Sequence, residues 1–184
     1  RSRDLDRQAL YMEAWQAMCD LYQGRWDAAG ERAQAVLAHD PQPSTARVVA
    51  LVTLGRLRTR RGDPAAADAL DEALELASRS QTLQRLGPTC VARAEAAWLR
   101  GAHDDVEREV ARVWTLAAAK GQPWLVGELA YWRMLAGGPV ANGDGCAPPY
   151  QAELRGDAQA AADAWHARGC PYEAARALAR GPAA

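Results

Sequence analysis

His166 and Cys170 stand four residues apart, a spacing that on one helix would bring an imidazole and a thiolate to the same face as metal ligands. A structural zinc site takes four such ligands. Gly169 and Pro171 also place a helix end between the two, so the pair reads as turn chemistry. Asp104, Asp105, Glu107 and Glu109 could gather a cation, but the same residues suit the acidic first turn and solvated face of a helix. Arg56, Arg58, Arg60 and Arg61 could grip a phosphate or an acidic peptide, because guanidinium forks match such anions. Near a helix C-terminus they equally complement its dipole. Cys19, Cys90, Cys146 and Cys170 are spaced too widely for a CxxC motif or a compact disulfide framework. They read as reduced cysteines of a cytosolic chain, some packed as small hydrophobes.

Signatures of catalysis are missing. The only lysine, Lys120, lies between Ala119 and Gly121, which rules out a Walker A loop. The histidines precede Asp40, Asp104 and Ala167, so HExxH does not occur, and no serine sits in GxSxG. No enzyme activity, cofactor or metal is therefore expected. A net charge of −1 gives no electrostatic footprint for nucleic acid or an acidic membrane. No apolar run reaches the length of a membrane span, and the N-terminal Arg1-Ser2-Arg3-Asp4 has no apolar signal-peptide core. That start, without Met, reads as a segment of a longer cytoplasmic protein.

The elements that must position these side chains are helical. Of 184 residues 49% are hydrophobic, yet Phe and Ile are absent and the apolar content is mainly Ala, Leu and Trp. Helices favour Ala, Leu, Glu, Gln and Arg, whereas strands favour β-branched and aromatic residues. Four short sites punctuate the helical pattern: Gly24-Arg-Trp-Asp-Ala-Ala29, Gly62-Asp-Pro-Ala-Ala-Ala67, Gly101-Ala-His-Asp-Asp-Val106 and Gly156-Asp-Ala-Gln-Ala-Ala161. In each the glycine supplies the left-handed residue that ends one helix before the next begins. Helices are expected near 4–23, 27–38, 45–61, 64–79, 83–100, 102–119, 123–136, 150–155, 157–168 and 171–180, with an irregular, mobile loop at 137–149. The helix at 45–61, apolar nearly all round through Val48-Val49-Ala50-Leu51-Val52, must be covered on several sides.

Two helices and two turns fit the intervals of 38 and 39 residues between Gly24, Gly62 and Gly101. The tetratricopeptide repeat is a helix–turn–helix unit with a Leu-Gly pair in its first helix, a turn glycine, and alanine in its second. Leu54-Gly55 stands seven residues before Gly62 and Ala67 five after it, so this chain resembles a divergent form of that repeat, with longer connections. The third repeat departs most, with Val106 and Arg112 at the alanine positions. The resemblance implies an all-α, tetratricopeptide-like right-handed superhelix of about nine or ten helices, forming one domain over 1–184. It places Ala67 at a helix crossing. It also directs Tyr11, Met18, Tyr22, Arg56, Arg60, Glu95 and Trp98 to a concave binding surface.

Four stretches carry a more particular likeness. Leu154-Arg-Gly-Asp157 is followed by Ala160-Ala-Ala-Asp-Ala-Trp165 and then Gly169-Cys-Pro-Tyr-Glu-Ala-Ala175. Leu54-Gly-Arg-Leu-Arg-Thr-Arg-Arg-Gly-Asp63 and Ala94-Glu-Ala-Ala-Trp98 fit the same pattern, as does Gly127-Glu-Leu-Ala-Tyr-Trp132. Together they resemble the helical sensor region of large bacterial LuxR-type transcriptional regulators. In that family the region lies between a STAND-class ATPase and a helix-turn-helix DNA-binding domain. The likeness implies a module that receives a protein or small-molecule inducer and relays it to neighbouring ATPase and DNA-binding domains, without itself hydrolysing ATP or binding nucleic acid. The alternative is an independent tetratricopeptide-like adaptor that binds a peptide partner.

Overall fold

The computed structural model describes residues 2–139 and 142–180, with side chains described from Arg7 onward. Among these residues the chain is all-α, with ten helices and no strand. They are α1 (Ser2–Tyr22), α2 (Trp26–His39), α3 (Thr45–Arg61), α4 (Ala66–Ser80), α5 (Leu83–Leu99), α6 (His103–Ala119), α7 (Pro123–Leu135), α8 (Pro148–Leu154), α9 (Ala158–His166) and α10 (Pro171–Ala179). Each expected helix is present, with ends displaced by one or two residues. The irregular stretch ends at Ala147, because Pro148 and Pro149 occupy the first turn of α8, where a missing N–H costs nothing. Within the expected loop, residues 140 and 141 lie outside the described residues. From Asn142 to Ala147, Arg155 donates to the Asn142 carbonyl and pairs with Asp144, and Ala147 N–H donates to Pro123 O at 3.0 Å.

The local chemistry explains the helix ends. Ser44 caps α3, its hydroxyl accepting from Arg47 N–H at 3.0 Å, and Asp157 caps α9 by accepting from Ala160 N–H at 3.0 Å. One turn recurs five times. A glycine at positive φ (Gly24, Gly101, Gly121, Gly156, Gly169) closes a helix, and the next helix starts two residues later. In each the residue after the glycine donates to the carbonyl five positions back, as from Ala102 to Ala97 at 2.9 Å, which satisfies an otherwise unpaired helix-end acceptor.

The turn at Gly62 is different, and it corrects the expected register of α4. Ala66 N–H donates to Asp63 O at 3.1 Å, and the Asp63 carboxylate accepts from Ala65 N–H at 2.9 Å. This extra turn, built through Pro64, delays α4 to Ala66, four residues after the glycine instead of two. Five residues after the glycine, Ala29, Val106 and Ala161 are each fully buried, but Ala67 is exposed. The two-residue delay passes the role to Ala69, which is buried, and Leu70 lies against Gly55 so closely that a Cβ there would stand 2.4 Å from Leu70 Cδ2.

The contacts gather in two compact units: Arg1–Leu21 with Arg25–Ala92, and Tyr22–Gly24 with Arg93–Ala184. The first is built around α3, in which every residue from Val48 to Leu57 is buried, as its nearly all-round apolar pattern requires. α2 and α4 pack on it. In the second, helices consecutive in sequence pack on one another, α6 on α7, α7 on α8, α8 on α9 and α9 on α10. Its core is aromatic: Tyr131, Trp132, Tyr150 and Trp165 are at most 2% exposed.

Candidate functional site

The polar groups singled out in the sequence are mostly engaged in holding helices together. Glu109 is buried and pairs with Arg93 at 3.0 Å and Arg112 at 3.2 Å, while Glu107 holds Arg133, whose guanidinium also lies 4.7 Å from the centre of the Trp114 ring. Asp104 and Asp105 sit in the first turn of α6, facing its positive end. Of the arginine cluster, Arg61 reaches Asp27 on α2 and Arg58 reaches the Ala65 carbonyl and Asp63 in the turn. His166 ends α9 and is exposed, and Cys170 precedes α10 with its thiol toward Arg168 O. Among the described residues no three His, Cys, Asp or Glu side chains converge as metal ligands.

The concave-surface candidates fall in different environments. In the first unit Met18 is buried and receives the Thr53 hydroxyl at 3.8 Å, and Arg56 is only 2% exposed. Tyr11 and Arg60 are half-buried, Tyr11 accepting from Gln84 at 2.9 Å. In the second unit Glu95 is fully buried, Tyr22 is half-buried, and Trp98 is half-buried with its indole N–H on Leu135 O at 3.3 Å and its ring tilted on Trp132. Met18, Arg56 and Glu95 thus present almost no surface to a ligand. Their register came from the turn glycines, and Met18 and Arg56 lie on the sides of α1 and α3 that the first unit closes over.

An open groove of about 600 Å³ lies in the first unit between α1 and α2, lined by Leu10, Ala28, Ala35 and Val36 and rimmed by Glu13, Glu31, Arg32 and His39. Arg32 is fixed there by Glu13 at 2.7 Å and by Asp20 at 2.9 Å. Asp20 itself is buried. Burial pushes its carboxyl up, but hydrogen bonds from Arg25, Gln16 and Arg32, with the charge of Arg25, outweigh that and hold it below the usual carboxylate range.

The second unit contains a drier site that sequence reasoning missed. Arg176 of α10 enters the aromatic core with its guanidinium carbon 4.3 Å from the centre of the Tyr131 ring and 5.1 Å from that of Trp132. Glu153 of α8 meets it at 3.3 Å, and the Trp165 indole N–H holds the same carboxylate oxygen at 2.7 Å. The side chains of Arg176 and Glu153 are only 9% and 3% exposed. Gly127 makes room for this packing: a Cβ there would stand 2.7 Å from Tyr150 Cβ. Arg180 follows one turn on, its guanidinium 5.4 Å from the Tyr131 ring centre.

The electrostatics follow from that enclosure. Desolvation raises the Glu153 carboxyl above the usual range, exceeding the opposing effects of Arg176, of the Trp165 hydrogen bond and of Arg180. Burial pushes the Tyr131 phenol up to about 12. Arg176 is discouraged by burial from carrying charge, but nearby Tyr131, Glu153, Tyr150 and Glu173 reverse this and it holds its proton more firmly than usual. Nε and Nη1 of Arg176 and Oε2 of Glu153 have no hydrogen-bond partner. The aromatic faces take up the guanidinium in place of further acceptors. The arrangement holds one guanidinium between aromatic faces and a carboxylate.

Among the described residues these features define an all-α fold with an open groove between α1 and α2 and a buried arginine enclosed by aromatic rings. No family model, no curated protein and no solved structure matches it. No helix among the described residues is long and apolar enough to cross a membrane.

Proposed function

We propose that the chain is the ligand- or protein-binding sensor region of a LuxR-type, ATP-dependent transcriptional regulator, with its hairpins stacked as a tetratricopeptide-like superhelix and its site of action the cytoplasm. An inducer, protein or small molecule, binds here and biases the neighbouring ATPase and DNA-binding domains. The observation that carries the binding part of this reading is the groove between α1 and α2, about 600 Å³ with an apolar floor and a charged rim, the make-up of sites that recognise small molecules and peptides. The parent protein is supported by the likeness of the stretches 54–63, 94–98, 127–132 and 154–175 to that family's sensor region.

The coding frame on either side tests the assignment. A Walker A segment upstream and a helix-turn-helix segment downstream are expected. Their absence would remove the regulator and leave the independent adaptor, which the same groove favours because an extended or helical peptide fits an open furrow between two helices. A thermal-shift screen of the chain against peptides and small metabolites tests binding in either case, since a ligand of the folded state raises Tm with concentration. Substituting Leu10 or Val36 on the groove floor should abolish the shift from any hit.

A further inference from the structure

We infer that the groove between α1 and α2 docks an amphipathic helix of a partner protein, one that presents a leucine and, four residues further on, an arginine. The inference rests on the groove being the binding site, as proposed above, and not on the identity of the parent protein. α2 has two flanks, and the covered one shows what such a surface takes in this chain. There α3 packs on α2: Gly30 leaves room for Leu57, whose Cδ2 would stand 3.2 Å from a Cβ at that glycine. Arg61 of α3 pairs with Asp27 of α2 at 2.7 Å. Leu57 and Arg61 are four residues apart on one helix and so share a face. A helix thus lays a leucine over a small residue of α2 and fastens the edge with a guanidinium on a carboxylate.

The other flank has the same ingredients and borders the groove. Ala28, Glu31, Ala35 and His39 follow at intervals of three or four residues, which puts them in one stripe along α2. From 28 to 39 that stripe runs about 16 Å, three turns of a helix lying alongside. Ala28 and Ala35 are small enough for a helix to come close, and Leu10 of α1 forms the far wall. The rim sets the sign of the partner. Arg32, the arginine of the lining, is shared between Glu13 at 2.7 Å and Asp20 at 2.9 Å. Glu31 is exposed and pairs with no basic group among the described residues. It therefore offers a carboxylate beside a small-residue floor, as Asp27 does beside Gly30. Helices docked in grooves are read through residues at such spacings, and among the described residues there is no sheet edge for an extended peptide to join.

The test follows the full chain by fluorescence anisotropy with a labelled, stapled alanine helix of three turns, bearing leucines along one face and an arginine four residues after the central leucine. Saturable binding is expected. Ala35→Trp, at an exposed position, fills the furrow without changing charge and should weaken binding about tenfold or more. Glu31→Arg should weaken it about fivefold, the size of an exposed ion pair turned to repulsion. The same peptide with glutamate in place of arginine should reverse that order and prefer the Glu31→Arg chain. No saturable binding of the arginine peptide, or no reversal of preference, overturns the inference. A small molecule that binds and is blocked by Ala35→Trp, where the arginine peptide does not bind, would keep the groove as the site and remove only the helical partner. Peptide binding indifferent to both substitutions would remove the groove as well. Sedimentation of the chain alone covers the remaining occupant: a dimer dissociated by Ala35→Trp would put a second copy in the groove and overturn the inference.

Discussion

The two units each bury a carboxylate beside arginines, and they treat it in opposite ways. Asp20, in the first, is surrounded by donors on both oxygens: Gln16 and Arg25 on one, Arg32 on the other. Those arginines remain half in water, 51% and 43% exposed, so the carboxylate is neutralised by charges that keep about half of their own exposure. Glu153, in the second, has two donors on one oxygen and none on the other, and its arginine is as dry as itself. The surroundings differ accordingly, with Val, Leu and Ala around α3 and a continuous set of rings around Arg176. An ion pair at a wet rim fastens helices at little desolvation cost, whereas one inside an aromatic core gives up solvation and is retained for its geometry.

The largest consequence should appear on breaking the dry pair. Glu153→Leu removes the carboxylate that pairs directly with the buried Arg176, and unit stability should fall by about 3–5 kcal/mol in chemical denaturation. Replacing both partners, Glu153→Leu with Arg176→Met, should recover most of that loss, because an apolar pair of similar volume needs no solvation. If the double variant is as unstable as the single, the aromatic box requires the charge and the contrast with Asp20 is misdrawn. Next in size is Gly127→Ala. The new Cβ would stand 2.7 Å from Tyr150 Cβ, an atom next to the backbone that cannot swing aside, so α8 must shift at a cost of about 1–3 kcal/mol.

Acid titration separates the two carboxylates by sign. Glu153 has a folded pKa raised above its reference of 4.5, so the folded state takes up this proton before the unfolded one does. Its contribution therefore makes the unit more stable as pH falls through the folded pKa toward 4.5. Asp20 is lowered below 3.8. Its stabilisation is complete above 3.8 and is lost as pH falls through its folded pKa. Subtracting the stability profile of Glu153→Gln from that of the unsubstituted chain should leave a term rising toward acid. The same subtraction with Asp20→Asn should leave one falling toward acid. Two terms of the same sign would contradict the contrast between the sites.

Most of the helix pattern could be read from the sequence because it is written locally. Glycines that end helices, Ser44 and Asp157 at helix starts, and prolines in first turns act through neighbouring backbone groups. The enclosure of Arg176 could not be read that way. Glu153 and Arg176 are 23 residues apart on different helices, and each looks like an ordinary solvated charge. The faint signal is that Glu153 shares a face with Tyr150, three residues before it, a charged residue beside an aromatic one at helical spacing. The concave-face candidates were less legible still. Burial of Met18, Arg56 and Glu95 depends on which neighbouring helices cover them, and a repeat register carried from the turns does not specify that.

The smallest expected effect tests the register itself, and it concerns two alanines in the aliphatic unit. The turn at Gly62 is two residues longer than its five counterparts, so Ala67 faces solvent in the first turn of α4 and Ala69 takes the inward position. Ala67→Leu should therefore leave stability within about 0.5 kcal/mol of the unsubstituted chain, as for surface positions generally. Ala69→Leu places the same added carbons on the inner face beside Leu70, which already lies against Gly55, and should cost about 1–3 kcal/mol. The paired design matters because leucine is a good helix former at either site. Propensity therefore cancels in the difference and only burial remains. Equal denaturation midpoints for the two variants would mean that Asp63, Pro64 and Ala65 do not delay α4 in solution. A larger loss at Ala67 than at Ala69 would return the crossing to the position that the repeat spacing alone assigns.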